Sequence, residues 1–174
     1  LYYTEAPVSE ELFTVEFGKA RICKPGKDIT IVGISNMLME CMRAQEILED
    51  AGISAEIIDP ISLIPLDAET IAKSVARTGR LLVVDNSWTP CGASAEIVSQ
   101  VCESLGAAQT LQIRRMGYAA TTCPTSPVLE DEFYPNPVTI AKAAHAMVKG
   151  EKTGWEPDQE RAKLAYQAQF RGPF

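Results

Sequence analysis

The sequence has one histidine, no C-x-x-C pair, and no apolar run approaching the roughly 20 residues that span a bilayer. A lone imidazole excludes histidine-rich metal sites and leaves at most one histidine base. Without a long apolar run, no membrane partner is expected. No H-E-x-x-H, G-x-x-x-x-G-K-[ST] or G-x-G-x-x-G occurs, which removes the zincin, P-loop and dinucleotide fingerprints. Basic residues are also the minority, 16 Lys and Arg scattered among 23 Asp and Glu for a net charge of -7. Phosphate backbones need clustered cations, so no nucleic-acid partner is expected. The cysteines (Cys23, Cys41, Cys91, Cys102, Cys123) are five, an odd number, and mostly interrupt apolar patterns. That predicts reduced thiols and an intracellular, cytoplasmic protein. Leu1 stands where a reading frame would start with methionine, and no n-region or h-region follows it; a trimmed or excised start without a targeting segment is the expectation.

What is present is a chain of 174 residues, 46% hydrophobic and 22% charged, long enough for one domain with a full core. From Asp28 onward, β-branched runs alternate with helical patterns, the signature of βαβ units and a mostly parallel sheet. "DITIVGIS" (28–35) is a nearly continuous apolar strand, as expected when both faces are covered. "NMLMECMRAQEILEDAG" then sets Met37, Cys41, Ala44, Leu48 and Ala51 on one helical stripe, widened by Leu38 and Ile47, with Gly52 as the stop. Further strands are predicted at 55–59, 80–87 and 110–117, with helices at 68–77, 92–106 and 137–149. The helix at 92–106 places Ile97, Val98, Val101, Cys102 and Leu105 inward, and the helix at 137–149 buries Ile140, Ala144, Met147 and Val148.

The two ends depart from this alternation. Residues 1–27 predict an extended arm and one further strand near 15–24, closed by a Pro25-Gly26 turn and forming a single domain with residues 28–150. Residues 151–174 predict a tail with a short helix that gathers some of Leu164, Ala165 and Phe170 on one side; Trp155 and Phe170 are expected to dock, because aromatics are costly to leave in water.

One connector is unusual. "EIIDPISLIPLD" (56–67) stops a strand at Asp59-Pro60, crosses over through apolar Ile61–Ile64, and restarts at Asp67, an expected helix cap with Leu66 and Ile71 as its hydrophobic staple.

Candidate chemistry is sparse. The loop 86–94 lies between a strand and its helix, where open α/β sheets gather ligands. Its Asn86, Thr89, Gly92 and Ser94 are candidates for a small-anion site, against the alternative that Gly92 serves the turn alone. Cys91 is either a thiolate at the helix start or a packed loop cysteine. His145 in the last helix is read as an unremarkable, partly exposed histidine. The stretch 117–137, with prolines at 124, 127, 135 and 137, reads as a long irregular link that is either a surface wrap or a contact surface for another subunit. Glu130, Asp131 and Glu132 are too close-spaced for a facing acid/base pair.

In their order, "FGKARICKPGKDITIVGIS", "AQEILEDAGISAEIIDPISLIPLDAETIAKSVARTGRLLVVDNS", "CGASAEI" and "PTSPVLEDEFYP" resemble the C-terminal domain of the transketolase superfamily. More narrowly, they resemble the β subunit of thiamine-diphosphate-dependent E1 components of 2-oxo acid dehydrogenases, of pyruvate, branched-chain or acetoin type. The likeness runs over roughly residues 10–149. It implies a three-layer α/β/α fold with a five-stranded mixed sheet, one strand antiparallel. It also implies a function: E1 decarboxylates a 2-oxo acid and passes the acyl group to lipoamide on E2. Thiamine diphosphate and Mg²⁺ belong to the full E1 enzyme and are held by other segments, so this segment is expected to bind neither, to be inactive alone, and to serve assembly. Expected partners are a second copy, the E1 α subunit or an N-terminal domain, and the E2 acyltransferase; the mitochondrial matrix would replace the cytoplasm in a eukaryote. Ile61, Leu63, Ile64, Pro65, Trp88, Phe133 and Tyr134 are the expected subunit-interface residues. Where related β subunits carry a Leu-Asp-Ala-Pro turn that meets E2, this chain reads "ESLGAAQTLQ", without the acid. Two further readings stand beside this one: a free-standing interaction or small-anion module on the same fold, and a split-gene half of a transketolase or 1-deoxyxylulose-5-phosphate synthase.

Overall fold

The computed structural model describes residues 10–106, 110–150 and 154–168. Strands β1 (Arg21–Lys24), β2 (Ile29–Gly33), β3 (Ala55–Asp59), β4 (Arg80–Trp88) and β5 (Gln112–Tyr118) form one sheet in the order β1-β3-β2-β4-β5. β1 pairs antiparallel to β3, and every other neighbouring pair is parallel. Helices α1 (Met37–Asp50), α2 (Ala68–Thr78), α3 (Ala93–Leu105), α4 (Pro127–Phe133), α5 (Pro137–Lys149) and α6 (Gln159–Ala168) complete the described elements.

Alternation along the strands divides the core into two layers. Ile29, Ile31, Ile57, Leu82 and Val84 pack beneath α1 and α5, whereas Val32, Ile58, Leu81 and Val83 face Ile71, Val75, Ile97 and Val101 of α2 and α3. Burial on both faces explains why these strands read as continuous apolar runs. One exception is Thr30, fully buried on the α2 side, whose hydroxyl lies 2.7 Å from Ser74 Oγ and 2.8 Å from Thr78 Oγ1. A buried hydroxyl unpaired here would cost about 1–3 kcal/mol, so the three form a self-satisfying set.

The helix boundaries follow their local signals. Asp67 Oδ1 accepts the Thr70 amide at 3.1 Å to cap α2, and Gly79 ends that helix in the left-handed region. Asn136 and Thr139 form a capping box at α5 with Pro137 in its first turn. Arg80 Nε donates to Met147 O at 2.9 Å and its Nη1 to Asp28 O at 3.2 Å, fastening the negative end of α5 to the sheet.

Three expectations need correction. β1 begins at Arg21 rather than near residue 15, because Gly18 turns the chain at φ 73° and the Ala20 amide goes to the Asp67 side chain instead of a ladder partner. The link 117–137 is not irregular throughout: it contains α4, which buries Phe133 and Glu130 while Val128 and Leu129 stay exposed. β4 runs to Trp88, one residue past the predicted strand at 80–87, so the loop expected over 86–94 is shortened to the turn after Trp88. In the tail, Trp155 docks on α5 and α6 lays Ala162 and Ala165 against the core, while Leu164 is exposed. Phe170 lies outside the described residues.

Candidate functional site

In this topology β3 and β4 lie on opposite sides of β2, so the chain reverses direction at the carboxyl ends of β2 and β4. That crevice is where open α/β sheets bind ligands. Here it is fitted with the chain's own carboxylate. Asp85, 2% exposed on β4, accepts the Ser94 amide through Oδ2 at 3.1 Å and so occupies the positive end of α3. A Cβ on Gly92 would lie 2.5 Å from Trp88 O and 2.8 Å from Ser87 Oγ, so glycine is required by close packing of the turn. Of the candidate anion residues, Ser94 is fully buried, and Asn86 and Thr89 are half-buried, with Thr89 O accepting Arg115 Nη1 at 2.7 Å. Sequence brings these residues onto one turn, but Asp85 fills the position an anion would take. Cys91 is exposed beside it, in the left-handed region at φ 57°.

Beyond this turn, Trp88, Tyr118, Phe133 and Tyr134 form an aromatic cluster at the ends of β4 and β5. Trp88 is edge-on to Tyr118 at 5.4 Å, and Tyr118 lies 5.0 Å from Phe133. The Trp88 indole N–H is shared between Ala119 O and Thr121 O, each at 3.1 Å, and Tyr134 O–H lies 3.3 Å from Cys123 Sγ. Burial and the nearby Asp85 charge push the Tyr118 hydroxyl above its ordinary range, so it stays protonated. Phe133, expected at a subunit interface, is 3% exposed and forms the centre of this cluster. It fails as an interface residue because closing the link 117–137 over the sheet needs an apolar plug.

The expected interface residues therefore divide. Trp88 remains about half exposed, Tyr134 is half-buried, and the connector after β3 carries the outward-facing group: Leu63, Ile64 and Pro65 exposed, Ile61 half-buried at φ 61°. Ser62 organises that connector, donating to Pro65 O at 2.6 Å while accepting the Gly18 amide at 2.9 Å. Sequence reasoning missed what the Gly18 contact brings alongside. Leu12, Phe13, Val15 and Phe17 of the arm and Ile22 of β1 are exposed, and Phe13, Val15 and Ile22 line a groove together with Glu16, Lys19, Arg21 and the connector's Ile61. The signal was there in the two-residue spacing of Phe13, Val15 and Phe17, followed by Gly18.

His145 is 7% exposed and stacks flat on Trp155, ring centroids 4.3 Å apart at 7°. It is more buried than its place near a helix end predicts, because the tail covers it. Burial, then the Lys149 charge, lowers its pKa and keeps the imidazole neutral.

Thiamine diphosphate with Mg²⁺ calls for grouped oxygen donors and an open anion cradle. Among the described residues no group of three or more His, Cys, Asp or Glu stands close enough to hold a metal, and the α3 cradle holds Asp85. The described crevice does not fit a diphosphate while Asp85 holds the helix end. No described helix is long and apolar enough to cross a membrane. The turn expected to lack an E2-contacting acid includes residues 107–109, which lie outside the described residues.

A five-stranded mixed sheet with one antiparallel edge, covered by helices on both faces, defines the α/β class of transketolase-type carboxy-terminal domains. The chain belongs to that family: the family model described as "Transketolase, C-terminal domain" matches residues 18–140. Among curated proteins, it is 38% identical over 152 residues to the acetoin:2,6-dichlorophenolindophenol oxidoreductase subunit beta of Cupriavidus necator, covering 87% of this chain and 45% of that one. It is 38% identical over 148 residues to the mitochondrial pyruvate dehydrogenase E1 component subunit beta of Pisum sativum, covering 83% of this chain and 41% of that one. The chain thus spans less than half the length of these relatives. A solved split-gene transketolase, described as an inactive beta4 tetramer, shares the fold with a TM-score of 0.70 at 22% identity, over 82% of this chain and 47% of that one.

Proposed function

We propose that this chain is the assembly domain of an E1-type β subunit, acting in a thiamine-diphosphate-dependent 2-oxo acid dehydrogenase without supplying catalytic groups itself. The observation that carries the reading is the occupied crevice: Asp85 sits on the α3 amino terminus, where a doubly wound sheet would otherwise receive a ligand. The only imidazole in the sequence is packed beneath Trp155. The likeness to two kinds of β subunit, over 152 and 148 residues, supports the same role.

On this reading, decarboxylation and acyl transfer to the lipoamide of E2 take place with thiamine diphosphate and Mg²⁺ held by other parts of the enzyme. An E1 α subunit is the partner that the β-subunit relatives suggest. The experiment is a dye-reduction assay of the chain alone with thiamine diphosphate, Mg²⁺ and, in turn, pyruvate, a branched-chain 2-oxo acid or acetoin. No turnover is expected with any of them; turnover above the protein-free rate contradicts the proposal.

A further inference from the structure

The two edges of the sheet differ. β1 is four residues long, and its register on β3 shifts between Ile22 and Lys24. Short length and a bulge are the usual devices that keep an edge from recruiting another strand. β5 has neither. It runs seven residues, its parallel register on β4 is unbroken from Gln112 to Met116, and among the described strands it has a neighbour on one side only. Gln112, Ile113, Arg114 and Arg115 are all exposed.

Charge is the second difference. Arg21, Arg43, Arg77 and Arg161 each face a carboxylate at between 2.6 and 3.0 Å, and Arg80 donates to backbone carbonyls. Among the described residues Arg114 and Arg115 are in no ion pair, although the chain carries 23 acidic residues to 16 basic ones. Arg115 Nη1 donates only to a carbonyl, Thr89 O, at 2.7 Å. Register sets Arg114 opposite Leu82 and Arg115 opposite Val83. Leu82 belongs to the layer beneath α1 and α5 and Val83 to the layer facing α2 and α3, so the two guanidinium groups stand on opposite faces of one edge. A strand laid along that edge alternates in the same way, and two consecutive carboxylates on it would meet both cations. A second copy of this chain does not fit, because pairing β5 with β5 brings like charges together.

We propose that the outer edge of β5 takes up an extended acidic segment of another protein as an added strand. Backbone hydrogen bonds to the open edge supply the affinity, and Arg114 and Arg115 select consecutive Asp or Glu over other strand-forming sequences. Ile113, exposed on the same face as Arg115, adds an apolar contact beside the charge. The inference is independent of the assembly reading.

The probe is the synthetic peptide acetyl-Val-Thr-Val-Glu-Glu-Val-Thr-Val-amide, titrated into the full chain at low salt and followed by amide hydrogen exchange. Saturable binding that weakens as salt rises is expected, with slowed exchange confined to β5. Replacing both glutamates of the peptide by glutamine, or combining Arg114→Gln with Arg115→Gln in the chain, should weaken binding roughly tenfold. Lys163→Glu, exposed on α6, changes the net charge by the same amount as the arginine pair and should leave binding unchanged. A peptide of equal charge with prolines in place of its valines cannot complete a ladder, and should also bind roughly tenfold more weakly. An unchanged urea midpoint shows that the arginine variant folds, and the glutamine peptide tests charge selection on the unaltered chain. Four outcomes overturn the proposal: no saturable binding, protection at β1 or elsewhere instead of β5, equal affinity for the glutamine peptide, or undiminished binding by the folded arginine variant. Equal affinity for the proline peptide also overturns it, by reducing the site to plain charge attraction.

Discussion

Asp85 Oδ2 lies 3.1 Å from the Ser94 amide nitrogen, which makes a strand residue the amino-terminal anchor of α3. This one contact closes the crevice at the carboxyl edge of the sheet and ties β4 to the helix that follows it. Asp85→Ala would leave the amide and the helix end without an acceptor in a dry site. The expected loss is about 1–3 kcal/mol, with Asp85→Asn losing less because its oxygen still accepts. Urea unfolding of the two variants checks both the size and the order.

Glu56 is 2% exposed, and both of its oxygens accept Arg77 Nη2 at 2.7 Å, with Oε2 also accepting the Gly26 amide at 3.2 Å. Removing the cation leaves a buried carboxylate, which costs about 3–5 kcal/mol in a sealed site. Arg77 is itself about half exposed, so water can enter, and a loss of roughly 1–3 kcal/mol is expected for Arg77→Ala. Glu56→Gln with Arg77→Ala should recover part of that loss, measured as a double-mutant cycle.

Acid should loosen the tail. His145 has its pKa lowered in the folded chain, first by burial and then by Lys149, so the unfolded chain binds the proton more readily. Stability from this group is therefore complete above the unfolded value of about 6.5 and is lost as pH falls below it toward the folded pKa. Thermal midpoints measured from pH 8 to 5 should fall with a slope that His145→Gln reduces. Fluorescence of Trp155, isolated by Trp88→Phe, should report the same transition as its stack on His145 opens.

The fold was legible because its strands are covered on both faces. Continuous runs such as "ITIVG" and "LLVVD" have few structural homes other than a buried parallel sheet. The cap at Asp67 likewise marks a helix start locally. The start of β1 was not legible, since it depends on Gly18 meeting Ser62 and Ala20 meeting Asp67, partners 44 and 47 residues away. Phe133 was misplaced for a related reason: an aromatic in a proline-rich link looks outward until Trp88, Tyr118 and Tyr134 surround it. Asp85 was passed over because a carboxylate at the end of an apolar strand has no sequence mark that sets its target. The loop 86–94 was rightly seen as the place where strand meets helix, but its own residues do not show that the helix end is already filled.

Calorimetric titration of thiamine diphosphate into the chain with Mg²⁺ present tests the account most directly. A domain built for assembly, with Asp85 on its helix end, should give only heats of dilution across the titration. Saturable binding near one equivalent would contradict it.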